Sequence, residues 1–181
     1  VLQYSTPNGP LRFREISTEN WICSQPTLRD PYEVLQVEVR QSLVEDGGEG
    51  VFALQPLAKK TVIAFYNGVR LPPVMEVGDW EDCSYRIFLH TDEEEEEDFL
   101  ECLDIPVKMR DLGEYCATLG HKINHSFSPN CQFSHYSHPL YGEIPCVVTT
   151  QHVDKGEELF SYYHYLLSDC PEWYAALWQT K

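Results

Sequence analysis

Apolar and polar positions alternate from residue 35 to residue 42. Leu35, Val37 and Val39, continued by Gln41, interleave with Gln36, Glu38, Arg40 and Ser42. A period of two predicts a half-buried strand. A glycine-rich break, Gly47-Gly48-Glu49-Gly50, follows, and a second apolar stretch begins at Val51. Thr61 to Tyr66 is β-branched and aromatic, and Asn67-Gly68 behind it is a turn signal. Cys146 to Thr150 and Leu159 to Leu167 also read as strands. One helix is predicted at the end of the chain. Pro171 suits its first turn, Asp169 its cap, and Trp173, Ala176 and Leu177 fall on one stripe. Arg110 to Leu119 reads as a short helix or an irregular turn. Residues 1–33, with Pro7, Pro10, Pro26 and Pro31, lack periodicity and read as a covering segment. There is no internal repeat or domain boundary. The expectation is a mainly β chain with a C-terminal helix.

Bulk properties narrow the class. The 181 residues suit one domain able to bury a core, and 43% hydrophobic content fits a globular chain. The formal net charge of −16 disfavours direct nucleic-acid binding and favours basic partners. Much of that charge lies between Asp92 and Asp98, a run with five consecutive glutamates. It reads first as a solvated insertion and second as a substrate-steering patch. No apolar run reaches membrane-span length and Val1–Pro10 has no signal-peptide character, so a soluble intracellular protein is expected. Val1 is not an initiator methionine, which fits an excised fragment. The seven cysteines, at 23, 83, 102, 116, 131, 146 and 170, form no CxxC or CxC pair. They read as reduced thiols, and no metal site is expected.

Four segments carry groups that core packing does not account for. Gly47-Gly48-Glu49-Gly50 lets backbone amides approach a ligand around one carboxylate, although a plain hairpin turn would look the same. Gly120 to Cys131 concentrates His121, Lys122, Asn124, His125 and Asn130 in a short irregular stretch. His121 and His125 have helical spacing for a metal pair, but Pro129 argues against a long helix and the stretch contains no carboxylate. An organic ligand fits better. Gly156 to Tyr165 places Tyr163 and Tyr165 on one strand face by alternation, where hydroxyls can line a channel; an aromatic core strand is the plainer reading. Tyr66 lies at a strand end beside a turn.

These segments together resemble the SET family. Asn124-His125 with Pro129-Asn130-Cys131 looks like its NHxxxPNC motif, and Gly156-Glu157-Glu158-Leu159 with Tyr163 looks like its GEEL…Y motif. Gly48-Glu49-Gly50 looks like its early glycine segment. The order and spacing agree. Asp30-Pro31-Tyr32-Glu33, Phe65 to Arg70 and Pro171-Glu172-Trp173-Tyr174 resemble the branch of SET-domain-containing protein seven, histone lysine methyltransferases with MORN repeats.

The resemblance implies a β-clip SET fold: small sheets around a pseudo-knot in which the chain near Asn124 threads beside the strand carrying Tyr163. It implies a covering segment 1–33, a SET domain 34–167 and a helical segment 168–181 completing the cofactor site. It implies methyl transfer from S-adenosylmethionine, leaving S-adenosylhomocysteine, to a lysine of a protein substrate, either a histone tail or a basic non-histone protein. Gly47, Gly48, Glu49, His121, Lys122, Asn124, His125 and Trp173 would hold the cofactor, Trp173 by stacking on adenine. Tyr66, Tyr163 and Tyr165 would carry the chemistry and, with Phe133, line the lysine channel. A monomeric, nuclear enzyme is implied, with cytoplasmic presence also compatible, and neither membrane nor nucleic-acid binding is. Two positions depart from the branch: Phe133 stands where it has a channel tyrosine, and Leu177 where it has an acidic residue. The alternative is an inactive SET scaffold that binds a protein partner.

Overall fold

The computed structural model describes residues 22–71, 84–89, 102–168 and 170–179. The acidic run 92–98, Cys83, the Asp169 cap and residues 1–21 of the covering segment lie outside the described residues.

The predicted strand at 35–42 starts later than its alternation suggests. The Asp30 carboxylate accepts the Tyr32 and Glu33 amides at 2.8 and 3.1 Å. Capturing these amides starts a helical turn, and α1 occupies Glu33–Gln36. Leu35 is therefore exposed and Glu33 buried. Strand β1, Val37–Gln41, pairs antiparallel with β2, Glu49–Ala53. The glycine-rich segment leads out of this hairpin's connection, with Gly48 at φ 60°.

Strand β3, Val62–Phe65, runs beside β9, Gly142–Thr149, which also pairs with β8, Cys131–His138. Asn67-Gly68 does not close a hairpin. It leads from β3 into β4, Val69–Leu71, in a different sheet, with order β4-β6-β5, where β5 is Ile87–Phe88 and β6 is Cys102–Asp104. Gly68 is required by proximity, since a Cβ there would lie 2.7 Å from the Asp104 carbonyl oxygen. Arg110 to Leu119 is an irregular turn, preceded by a single 3-10 turn at Val107–Met109.

The sheet that matters most has the order β1-β2-β10-β7, with β7 at Asn124–His125 and β10 at Glu158–Ser161. β10 pairs antiparallel with β2 and parallel with β7, Phe160 opposite Asn124 and Ser161 opposite His125. Two distant motifs thus meet side by side, as the threading expectation requires. The predicted strand 159–167 stops at Ser161, and beyond it His164 takes a left-handed φ of 58°, which a continuing strand would not accommodate.

Helix α2, Glu172–Gln179, buries Tyr174 rather than the predicted stripe; Trp173, Ala176 and Leu177 are exposed. Three apolar clusters fill the interior among the described residues, the smallest around Phe65, Leu103, Ile144 and Cys146. One of the larger two gathers Val37, Val51, Leu57, Ile63, Ile123 and Leu159; the other gathers Tyr66, Val69, Cys102, Ile105 and Tyr115. Phe133 packs against both, at the seam. Among the described residues the cysteines are free, no group of three or more His, Cys, Asp or Glu could hold a metal ion, and no helix is long and apolar enough to cross a membrane.

Candidate active site

The parallel pairing of β7 with β10 sets the geometry. Beyond β10 the Tyr163 amide donates to His125 Nδ1 at 3.2 Å, which makes that nitrogen the acceptor of a neutral ring. The Tyr163 hydroxyl turns back and donates to the Ile123 carbonyl at 2.5 Å. Tyr66, buried at the end of β3, donates its hydroxyl to the Tyr85 carbonyl. Burial raises the pKa of both phenols, Tyr66 well above the usual range, with neighbouring tyrosines adding to the effect. Both stay protonated at neutral pH, and because each donates its proton to a carbonyl, each oxygen is left as an acceptor.

Other rings pack around these two tyrosines. Phe133 stands edge-on to Tyr66 at 6.0 Å between centroids, and Tyr165 to Tyr163 at 5.9 Å. Tyr163 and Tyr165 are outside the strand, so simple alternation does not bring them together; the left-handed His164 between them does. Trp173 stands edge-on to Tyr163 and Tyr165 at 6.3 and 6.1 Å and remains 46% exposed. The indole is thus half bare beside the two tyrosines.

The polar groups gather where the Asn124 side chain reaches the end of the β1–β2 hairpin. Asn124 Nδ2 has the carbonyls of Glu49 and Gly47 at 3.0 and 3.3 Å and Ser42 Oγ at 3.1 Å. The Lys122 ammonium is nearly buried, lies 2.6 Å from the Glu49 carboxylate and donates to the Arg110 carbonyl. Gly47 leaves room that a Cβ would fill, since one there would come within 2.9 Å of Ser42 Oγ. The His125 ring packs among Phe127, Tyr163, Trp173 and Tyr174 at 4.6 to 6.0 Å.

The predicted residues therefore gather into two groups. Gly47, Glu49, Lys122 and Asn124 make the polar group, with Gly48 exposed beside them; Tyr66, Phe133, Tyr163, Tyr165, His125 and Trp173 make the aromatic one. His121 stands apart from the polar group. Its ring is buried among Tyr66, Tyr85 and Tyr115 at 5.3 to 6.3 Å. Burial, aided by the Lys122 charge, lowers its pKa to about 3, so the imidazole is neutral.

Sequence reasoning quoted three residues without giving them a task. Asn130 donates to the Glu158 carbonyl and accepts the Phe160 amide, both at 2.8 Å, tying β10 to the residue that precedes β8. Glu33 accepts the Phe65 and Leu119 amides at 2.5 and 3.2 Å, joining the backbone ahead of Tyr66 to that ahead of His121. The buried Glu158 carboxylate accepts Ser42 Oγ and the Leu43 amide at 2.7 and 2.8 Å. Their signal was a polar side chain inside an apolar context, as in Glu158-Leu159-Phe160.

Buried tyrosine hydroxyls lie near a glycine-rich turn held by Asn124, and the SET domain family model matches residues 48–164. The chain belongs to the SET-domain family. It is 38% identical over 174 residues to histone-lysine N-methyltransferase SETD7 of Halocynthia roretzi, an alignment covering 91% of this chain and 43% of that protein. The chain thus spans less than half the length of that curated relative. Its fold resembles that of CpSET8 from Cryptosporidium, with a TM-score of 0.54, 20% identity, and coverage of 71% of this chain and 57% of that one. It also resembles ctPRC2 in an autoinhibited, S-adenosylmethionine-bound conformation, with a TM-score of 0.52, 21% identity, and coverage of 80% of this chain and 17% of that one.

Proposed function

We propose that the chain is an S-adenosylmethionine-dependent protein-lysine N-methyltransferase acting on a basic, lysine-bearing protein or peptide, a histone tail being the first candidate. The observation that carries this is the pair of buried tyrosines whose hydroxyl protons are committed to the Ile123 and Tyr85 carbonyls. A narrow aromatic passage with acceptor oxygens on its wall suits an amine, whose N–H groups are donors.

The residues present fit the cofactor. Gly47 and Gly48 leave the cradle open, the Lys122–Glu49 pair offers opposite charges to a zwitterionic amino-acid end, and the half-exposed Trp173 ring offers a face to adenine. When bound, S-adenosylmethionine supplies an electrophilic methyl group. The chain's residues then have to align and dehydrate the lysine nitrogen. Burial disfavours an ammonium, whose ordinary pKa is about 10.4, and so favours the neutral nucleophile. Neither Tyr163, which keeps its proton, nor His121, with a pKa lowered to about 3, is placed to take the lysine proton as a base, so release to solvent is the consistent route. Tyr163, Tyr66 and Tyr165 orient the amine and offer oxygens to polarised C–H groups.

On this reading residues 1–33 cover the domain, 34–167 form it and 168–181 complete the cofactor site. The enzyme works as a nuclear, chromatin-acting monomer. The acidic net charge of −16 supports a basic substrate.

The test is methyl transfer from labelled S-adenosylmethionine to an array of lysine peptides, read by mass spectrometry. The wild type should transfer methyl groups, and Tyr163→Phe should lower kcat by about 10²-fold or more with the fold retained. Protein that binds the cofactor yet modifies no lysine substrate would instead support the inactive-scaffold reading.

A further inference from the structure

We infer that Glu158 is a positioning residue that latches the 42–50 segment onto Asn124 and so sets affinity for the cofactor; the inference rests on the function proposed above. Glu158 lies in β10 and is buried. One carboxylate oxygen accepts Ser42 Oγ at 2.7 Å and has Asn124 Nδ2 at 3.3 Å. The other accepts the Leu43 amide at 2.8 Å. Its donors come from both sides of the glycine-rich cradle, and the hydrogen bonds found at it include no cation. A single side chain thus spans the two walls between which Gly47 and Glu49 sit.

The glycine beside it reports the same closeness. A Cβ at Gly50 would lie 2.1 Å from Glu158 Oε1, so the carboxylate occupies the space that any other residue's side chain would need. Ser42 completes the circuit, because its hydroxyl donates to Glu158 while accepting the Val44 amide at 3.0 Å. Asn124 in turn holds the Gly47 and Glu49 carbonyls. With Glu158 in place the loop and Asn124 share one acceptor. Without it, Ser42 Oγ, the Leu43 amide and Asn124 lose the group that fixes their spacing.

Glutamine cannot replace this carboxylate. Every surrounding group is a donor toward it, so whichever position the amide nitrogen takes, a donor faces a donor. The effect should fall on the cofactor and not on the lysine channel, because Tyr66 and Tyr163 hydrogen-bond to Tyr85 and Ile123 instead.

The experiment compares wild type, Glu158→Gln and Ser42→Ala by calorimetric titration with S-adenosylmethionine and by steady-state kinetics with a lysine peptide. Glu158→Gln should weaken cofactor binding by about tenfold or more, with kcat at saturating cofactor and peptide KM within about threefold of wild type. Ser42→Ala should weaken it about threefold, and the double variant should be no worse than Glu158→Gln alone, as expected of one network. Unchanged cofactor affinity in folded Glu158→Gln overturns the inference. So does a loss spread equally over kcat and peptide KM, which marks a merely structural role. If Glu158→Gln does not fold, Ser42→Ala decides on the same readouts. Wild type that does not bind S-adenosylmethionine overturns the functional reading and this inference with it; wild type that binds, beside a variant that binds equally, overturns the inference alone.

Discussion

Glu33 should make stability depend on pH in a direction opposite to that of an ordinary surface carboxylate. It is completely buried, with one oxygen accepting the Phe65 and Leu119 amides and the other without a hydrogen-bond partner. Burial drives its pKa well above the usual range; the two amide bonds and Arg29 pull down, while Asp30 pushes up. A folded pKa above the unfolded one means that the neutral acid is the form the fold prefers. Its contribution is fully present below the unfolded pKa of about 4.3. It is lost as pH rises from there through the folded pKa, with a limiting slope of about 1.4 kcal/mol per pH unit. Glu33→Gln keeps an acceptor for both amides and puts an uncharged group where the partnerless oxygen lies, so it should lack this slope. The variant should therefore gain stability relative to wild type as pH is raised from 5 to 9. Glu33→Ala strands two buried amides, at about 1–3 kcal/mol each, and should lower Tm by roughly 10 °C in a chain of this size. Chemical denaturation followed by circular dichroism across that pH range supplies the measurement. Parallel stability curves for wild type and Glu33→Gln would refute the reasoning, since all other titrating groups cancel in the difference.

Trp173→Ala should weaken S-adenosylmethionine binding by roughly 5- to 100-fold, from a stacking value of about 1–3 kcal/mol, with little change in Tm because the ring is 46% exposed; a fall in Tm at constant affinity would make it a packing residue. His164→Gly should raise stability by about 1 kcal/mol by relieving the left-handed φ of 58° while keeping Tyr163 and Tyr165 aligned, and a drop in kcat there would show that the imidazole itself is needed. Phe133 offers no hydroxyl beside Tyr66, so wild type should carry a good peptide to dimethyl-lysine and Phe133→Tyr should shift it toward monomethyl-lysine; mass spectrometry showing arrest at one methyl in both would sink the idea.

Much of the β architecture was legible because β1, β3 and β9 carry apolar or β-branched runs. The rest was hidden by specific local competitors. β8 escaped because its residues Cys131–His138 are mostly polar and only its two ends are fully buried. The start of β1 was misplaced because a side-chain hydrogen bond from Asp30, invisible to periodicity, diverts the chain into α1. The stripe on α2 points outward because the helix docks through Tyr174 instead, whose ring packs against His125, Phe127 and Tyr165. The site motifs were legible as residue types, but not the partners that hold them. Glu158 and Glu33 act across 116 and 86 residues of sequence, on Ser42 and Leu119 respectively. No local pattern records such a contact.

Three consecutive residues join the two halves of the site. The Ile123 carbonyl accepts the Tyr163 hydroxyl, the Asn124 side chain holds the glycine-rich segment, and His125 Nδ1 accepts the Tyr163 amide. On the proposed reading, the group that would orient the lysine nitrogen and the groups that would seat the methyl donor thus share three consecutive residues of one backbone. Transfer along a line from nitrogen to carbon to sulfur is sensitive to small shifts. On that reading the hydrogen-bonded 123–125 segment would hold that line without any residue having to contact both substrates. Tyr66 is held differently, through the Tyr85 carbonyl on the segment leading into β5. On the same reading a change at Tyr66 or Phe133 would act first on the lysine side, whereas a shift of the backbone at 123–125 would move both sides together.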